Sequence, residues 1–281
     1  MSYNLSNSAK GGERMYADMP SSVLEYFEKE NIKLFCADEV DSTNKRARIY
    51  AEQMSEPPER AALFLAESQS EGRGRLGRSF FSPANTGLYM TLLIPSPKRA
   101  ESFARLTALT AVATVEAVRD VFAVEPRIKW VNDLYLDGKK VAGILAESFP
   151  VGERRYVAVG IGINLTTDEF PEDIHGKAGS LTKGIESDEL CARKTALAFL
   201  ISKKLLASLE KEDGSEQIKK YRELSCVIGK RISFSLSGEK KEGIAVDIND
   251  DGALVVQLGN GQRITLSTGE ISVFSLDGKW N

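Results

Sequence analysis

The sequence predicts an α+β fold: a mixed or antiparallel sheet with flanking helices, followed by a small β-barrel. Three observations carry this. Between Arg127 and Leu165 the stretches RIKWV, LYLDGKKVAGILAESF and RRYVAVGIGINL succeed one another across short turns, Asp137-Gly138 and Gly152-Glu153. That is an antiparallel meander rather than repeated βαβ. Helical periods surround it, from about Ala100 to Phe122 and along DELCARKTALAFLISKKLLASLEK. From about Val227 five short alternating strands appear (RISFSL, EGIAVDI, ALVVQL, RITLS, ISVF), split by Ser237-Gly238, Asp251-Gly252 and Asn260-Gly261, the texture of a small barrel. A length of 281 residues suits one large domain with a small one. The expected division is a disordered polar tail at 1–20, a main domain at 21–226 and the barrel at 227–281.

In chain order, a helix is expected from Ser21 or Ser22, where Ser22 and Glu25 have capping-box spacing and Leu24 and Phe27 share a face. Ile32–Phe35 reads as extended. Asp41-Ser42-Thr43-Asn44 is an N-cap cluster before the helix-favouring KRARIYAEQM. Pro57-Pro58 breaks the chain before the strand AALFLAE, and the long loop SQSEGRGRLGRSFFSPANT leads to the strand GLYMTLLI. Such a loop inside a compact domain points to function. The helical face at Phe103, Leu106, Leu109, Ala113 and Val118 is expected to meet the core. Ser187 is placed as the cap of the long helix, and a shorter helix follows Gly214.

Composition removes several functions. The net charge of −3 disfavours nucleic-acid binding by bulk electrostatics. A single histidine, His175, in a polar run, excludes a His-rich metal site. Cys36, Cys191 and Cys226 are odd in number and widely spaced, so they read as buried thiols rather than as disulfides, zinc ligands or nucleophiles. No apolar run reaches the ~20 residues that span a bilayer, and the N-terminus lacks a signal-peptide core. The expected location is cytoplasmic.

Three segments carry chemistry. Gly72-Arg73-Gly74-Arg75-Leu76-Gly77-Arg78 contains a formal G-x-G-x-x-G, but SFFSPANTG after it cannot start the helix a dinucleotide site needs. What remains is a supple backbone carrying Arg73, Arg75 and Arg78, guanidinium forks for carboxylate or phosphate; a solvated basic loop is the plainer alternative. In Ile128-Lys129-Trp130-Val131-Asn132-Asp133, Lys129 faces opposite to Ile128 and Trp130. It either meets an anion or points to water from an edge strand. Gly143 in mid-strand and Gly160-Ile161-Gly162 on the neighbouring strand leave room either for a flat ligand or for close packing.

Together, DSTN (41–44), ESQSEGRGRLGRSFFSP (67–83), KWVND (129–133), KKVAGILAE (139–147), VAVGIGINL (157–165) and TGEIS (268–272) resemble the biotin–protein ligase family, in the family's order over nearly the whole folded chain. The resemblance implies a catalytic domain related to class II aminoacyl-tRNA synthetases with an SH3-like barrel after it. It implies use of ATP and Mg²⁺, the metal held through phosphates, to form biotinyl-5′-AMP. The biotinyl group then passes to a lysine of a biotin carboxyl carrier protein, such as that of acetyl-CoA carboxylase. By the same matching, Lys129 and Arg75 are the catalytic candidates. Ser42, Thr43, Asn44, Gln69, Arg73, Gly74 and Gly143 join them at biotin or its adenylate, and Trp130, Asn132, Asn164 and Arg78 fall on the nucleotide side.

Two positions depart from the family: Val131 stands where proline is usual and Leu76 where arginine is frequent. Only 40 residues precede Asp41, too few for the winged-helix domain of some relatives, so the form expected is the one without DNA binding. No membrane partner is expected, and a homodimer is left open. Competing readings are a lipoate or other acyl–protein ligase, and an RNA-binding protein using the Arg loop and the barrel. The barrel offers few stacking aromatics for RNA, only Phe234, Phe274 and Trp280.

Overall fold

The computed structural model describes residues 19–54, 59–95, 103–211, 214–236 and 238–274. Most of the expected tail at 1–20, the Pro57-Pro58 break, the proposed helix start at 100–102, Ser237 and Trp280 lie outside the described residues.

The larger sheet is built from β1 (Lys33–Val40), β2 (Ala62–Gln69), β3 (Gly87–Pro95), β4 (Arg127–Lys129), β5 (Asp133–Leu136), β6 (Lys139–Val151) and β7 (Arg154–Asn164). Its order is β1-β2-β3-β7-β6-β5-β4. Only the β1–β2 pair is parallel, so the sheet is mixed, one of the two arrangements that the meander left open. Asp137 and Gly138 both have positive φ, 50° and 77°, the geometry that a two-residue hairpin turn requires. Among the described residues five α-helices accompany the strands: α1 (Ser21–Lys29), α2 (Thr43–Gln53), α3 (Phe103–Phe122), α4 (Ser187–Glu210) and α5 (Ser215–Leu224).

Strand alternation gives the sheet two apolar faces. On one, Leu88, Met90 and Leu92 of β3, Ile144 of β6 and Ile161 of β7 join Leu106, Leu109 and Val112 of α3 and Leu197 and Ile201 of α4. On the other, Ala47, Tyr50 and Ala51 of α2 cover Phe64, Leu93, Phe149, Tyr156 and Ala158. The short α2 roofs only part of this second face.

The second sheet is antiparallel, in the order β11-β10-β9-β8-β12, from β8 (Arg231–Leu236), β9 (Glu239–Ile248), β10 (Leu254–Leu258), β11 (Arg263–Leu266) and β12 (Ile271–Val273). Its buried Ile232, Phe234, Ala245, Ile248, Leu254 and Val256 continue the first apolar cluster. Polar contacts also tie the two sheets. The Trp130 indole N–H donates to the Gly252 carbonyl (3.0 Å), and Arg222 meets Asp250 at 2.6 Å.

Several local expectations are corrected. The Ser22–Glu25 capping box does not form: Pro20 occupies the N-cap of α1 and no side chain caps it. Glu186, not Ser187, precedes α4. Phe103, expected in the core, is 52% exposed at the start of α3. Strand β9 begins three residues before EGIAVDI, because Lys240 and Lys241 pair with Ser235 and Phe234.

Candidate active site

Where α2 stops covering the sheet, a slot opens over β3, β7 and β6. It is lined by Ser42, Thr43, Asn44 and Gln69 at one end and by Arg73, Arg75, Asn132 and Lys140 at the other. Met90, Ile144 and Ile161 border it through their backbone, since their side chains belong to the core beneath.

The neutral end starts at the N-terminus of α2. Ser42 is the N-cap residue, as the sequence predicts, but no side chain of its own helix caps it. The Thr43 N–H instead donates to Gln69 Oε1 of β2 (2.9 Å), and Gln69 Nε2 donates to Ser82 Oγ (3.0 Å). An orphan helix donor thus fixes a side chain from a distant strand. Asn44 lies across three paired residues, Thr91, Gly160 and Leu145. A Cβ on Gly160 would stand 2.3 Å from Asn44 Oδ1. In the next row Phe80 covers Gly162, where a Cβ would meet the ring at 2.5 Å. The glycine-thinned strands therefore admit Asn44 and Phe80, not open space for a flat ligand.

The cationic end hangs on the loop between β2 and β3. Arg75 donates to Asn132 Oδ1 (3.0 Å) and to Thr268 Oγ1 (3.4 Å) of the second sheet. Leu76, at the loop tip, has φ 56° and is 73% exposed. Gly72 needs its missing side chain, because a Cβ there would lie 2.2 Å from the Phe80 carbonyl. Lys140 pairs with Asp133 at 2.7 Å, and its ammonium lies 3.3 Å from where a Gly143 Cβ would be. A β-bulge between the Leu134–Ala142 and Tyr135–Lys140 pairs puts Lys140 on the face of Gly143, although the two are three positions apart.

The slot brings together Ser42, Thr43, Asn44, Gln69, Arg73, Gly74, Arg75, Asn132 and Gly143. Four predicted residues do not line it. Lys129 stands on edge strand β4, in the same paired row as Asp133 and slot-lining Gly143 but two strands farther out, against the Tyr135 ring (5.1 Å), and burial pushes its ammonium below its ordinary pKa. Trp130 is turned to Gly252. Arg78 bonds Glu270 (2.6 Å) and is largely exposed. Asn164 donates to the Gly179 carbonyl and keeps a buried Oδ1 with no partner. Lys140, Phe80 and Thr91 were missed. Among the described residues, no group of three or more His, Cys, Asp or Glu side chains is placed to hold a metal ion. His175 is exposed. Burial pushes the Cys36 thiol up to about 12 and the Cys226 thiol upward too, away from nucleophilic use.

A mixed sheet floors a slot that is neutral and polar at one end and cationic at the other. The model of the biotin/lipoate A/B protein ligase family matches residues 37–164, and that of the biotin protein ligase C-terminal domain matches 227–273. The chain belongs to the biotin/lipoate A/B protein ligase family. It is 30% identical over 219 residues to the biotin–[acetyl-CoA-carboxylase] ligase of Mycobacterium tuberculosis, covering 74% of this chain and 77% of that one. It is 35% identical over 153 residues to the bifunctional ligase/repressor BirA of Bacillus spizizenii, covering 53% of this chain and 46% of the relative. Across the BirA relatives the match spans 45% to 61% of their length. A biotin protein ligase from Aquifex aeolicus, solved with biotin and ATP, superposes with a TM-score of 0.68 at 28% identity, covering 86% of this chain and 97% of that one.

Proposed function

We propose that the chain is an ATP-dependent biotin–protein ligase. The observation that carries the reading is the division of one slot into a neutral polar end and a cationic end. Biotin has a neutral ureido head, an apolar middle and a carboxylate tail, and the relatives' names point to the same ligand. The ureido group faces Ser42, Thr43 and Gln69, the Phe80 ring covers the middle, and the carboxylate reaches Lys140, Arg73 and Arg75.

In the first step a biotin carboxylate oxygen attacks the α-phosphate of ATP, forming biotinyl-5′-AMP and releasing pyrophosphate. Both reactants are anions, so fixed cations stabilise the charge that builds between them. Lys140 is the candidate closest to that point, with Arg75 beside it. Lys129 contributes from the same row two strands out, its charge reaching the slot past Asp133. The donors at this end are guanidinium and ammonium groups, which suit phosphate oxygens, so the Mg²⁺ that accompanies ATP is carried by the phosphates. In the second step a lysine amine of the carrier domain attacks the acyl carbonyl and AMP leaves. The Arg/Gly loop, folded over the intermediate, keeps water from hydrolysing the mixed anhydride. Asn132 and the unpartnered Oδ1 of Asn164 are the nucleotide-side candidates that remain.

The finer parts of the reading travel with it: an SH3-like closure of the second sheet, kinship with class II synthetases, a cytoplasmic location and a biotin carboxyl carrier domain as acceptor. Incubation with biotin, radiolabelled ATP and an apo carrier domain tests the proposal. Biotin-dependent release of AMP and label on the carrier are expected. Neither appearing would reject it, and label with lipoate in place of biotin would move the chain to the other branch of its family.

A further inference from the structure

We infer that Asn44, Thr91 and Glu147 form a relay that fixes the hydrogen-bond polarity of Thr43, so that its hydroxyl oxygen offers only lone pairs to the slot. The inference rests on the biotin reading and adds to it which ligand atoms this end accepts: the ring N–H groups of the neutral head.

The relay starts at two acceptors. The Asn44 amide nitrogen donates to the Leu145 carbonyl (3.2 Å) and to Glu147 Oε2 (2.7 Å). Neither partner donates, so the amide cannot flip, and Asn44 Oδ1 is held toward Thr91. Thr91 is fully buried and its Oγ1 stands 2.6 Å from Asn44 Oδ1 and 2.8 Å from Thr43 Oγ1. A hydroxyl has one proton, and Asn44 Oδ1 can only accept, so the Thr91 proton goes to Asn44. Thr43 then faces two acceptors, Thr91 Oγ1 and, at 3.2 Å, Gln69 Oε1. Its proton is spent on one of them. What Thr43 presents to the slot is oxygen without hydrogen. Gly160 makes this geometry available, because any side chain there would displace the Asn44 amide.

Thr91 and Glu147 do not line the slot; they act through Asn44 and Thr43, which do. The test compares biotin with its two carbamate analogues, in which one ring N–H is replaced by oxygen. The folded wild-type chain should bind at least one analogue about tenfold or more weakly than biotin, the worth of one hydrogen bond exchanged for lone-pair repulsion. Thr91→Val removes the nearer of the two acceptors and leaves the Thr43 proton only the longer bond to Gln69 Oε1 (3.2 Å), so that the hydroxyl can also turn its proton to the slot. It should raise the KM for biotin about tenfold, leave the KM for ATP and kcat within about twofold, and shrink the discrimination against the carbamate. Thr91→Ser should restore both. Glu147→Leu should give the same pattern more weakly, and Glu147→Gln, which still accepts from Asn44, should not. Unchanged discrimination in Thr91→Val, or equal damage from Glu147→Gln and Glu147→Leu, overturns the relay. If the wild-type chain bound no biotin at all, the proposed function would fail instead. Should Thr91→Val not fold, the Glu147 pair decides alone.

Discussion

The two ends of the slot are held in opposite ways. The neutral end rests on the register of three central strands: Thr91, Gly160 and Leu145 are paired in one row, and Asn44 and Thr43 bond directly to that row or to its neighbours. The cationic end is an exposed loop whose arginines are tied to Asn132 and to Thr268 and Glu270 of the second sheet. Recognition of a neutral head needs donors and acceptors fixed to within a fraction of an ångström. A step that must admit ATP and later a protein lysine needs cations that can open and close. On the proposed function, specificity rests on the sheet and turnover on the loop.

The largest expected effect separates the two lysines. Lys140→Ala should slow biotin-dependent pyrophosphate exchange by about 10²–10³-fold, the range for removing a group aimed at developing charge. Lys129→Ala, two strands farther out in the same row, should cost roughly tenfold by the same logic of weaker contact. A larger loss at Lys129 than at Lys140 would break the assignment of the mouth to Lys140.

Two glycines sharpen the contrast in rigidity. Gly160→Ala forces a methyl to within 2.3 Å of Asn44 Oδ1 on a central strand. It should destabilise the fold by about 1–3 kcal/mol, as overpacking does, and weaken biotin binding. Gly74→Ala meets nothing nearer than 3.4 Å, at a φ of −111° that alanine adopts freely. Its thermal midpoint should stay within about 1 °C of wild type, as for surface substitutions of small cost. Equal losses in calorimetry would mean that the mouth is as fixed as the floor.

Smaller still is the exposed Arg78–Glu270 pair. Glu270→Gln should change stability by less than about 0.5 kcal/mol. It should leave the apparent affinity for ATP less sensitive to salt, because the screened attraction that orders the loop is already gone. An unchanged salt slope would show that the loop does not depend on the second sheet.

The smallest effect concerns pH. Burial holds the Lys129 pKa below its ordinary 10.5. The folded state therefore binds fewer protons there than the unfolded one, and stability rises with pH between the lowered value and 10.5. The penalty is full below that window. Lys129→Met should flatten this rise and stabilise the protein slightly at neutral pH. Thermal melts at pH 7 to 10 that keep the wild-type slope would contradict it.

Much of this was legible in the residues. The Asp137-Gly138 and Gly152-Glu153 turns, the strands they join and the five-strand texture after Val227 depend on local turn chemistry and alternation, which sequence carries directly. Most of the slot was legible too, because Ser42–Asn44, Gln69 and Arg73–Arg75 lie in compact motifs. Lys140 was not. Strict alternation assigns it and Gly143 to opposite faces, and only the bulge between β5 and β6 reverses that. Trp130 and Arg78 were placed on the nucleotide side, but the second sheet claims both, a contact spanning more than a hundred residues of sequence.

The sequence by itself determined the antiparallel meander, the helices around it and the chemical character of the binding residues, since these follow from periodicity and residue type, and the structure added the parallel pair. The tertiary structure decided that Lys140 joins the slot and that Asn44 and Phe80 fill the space over the glycines. Those depend on strand register and on partners from distant segments, where a shift of one residue turns a side chain to the other face.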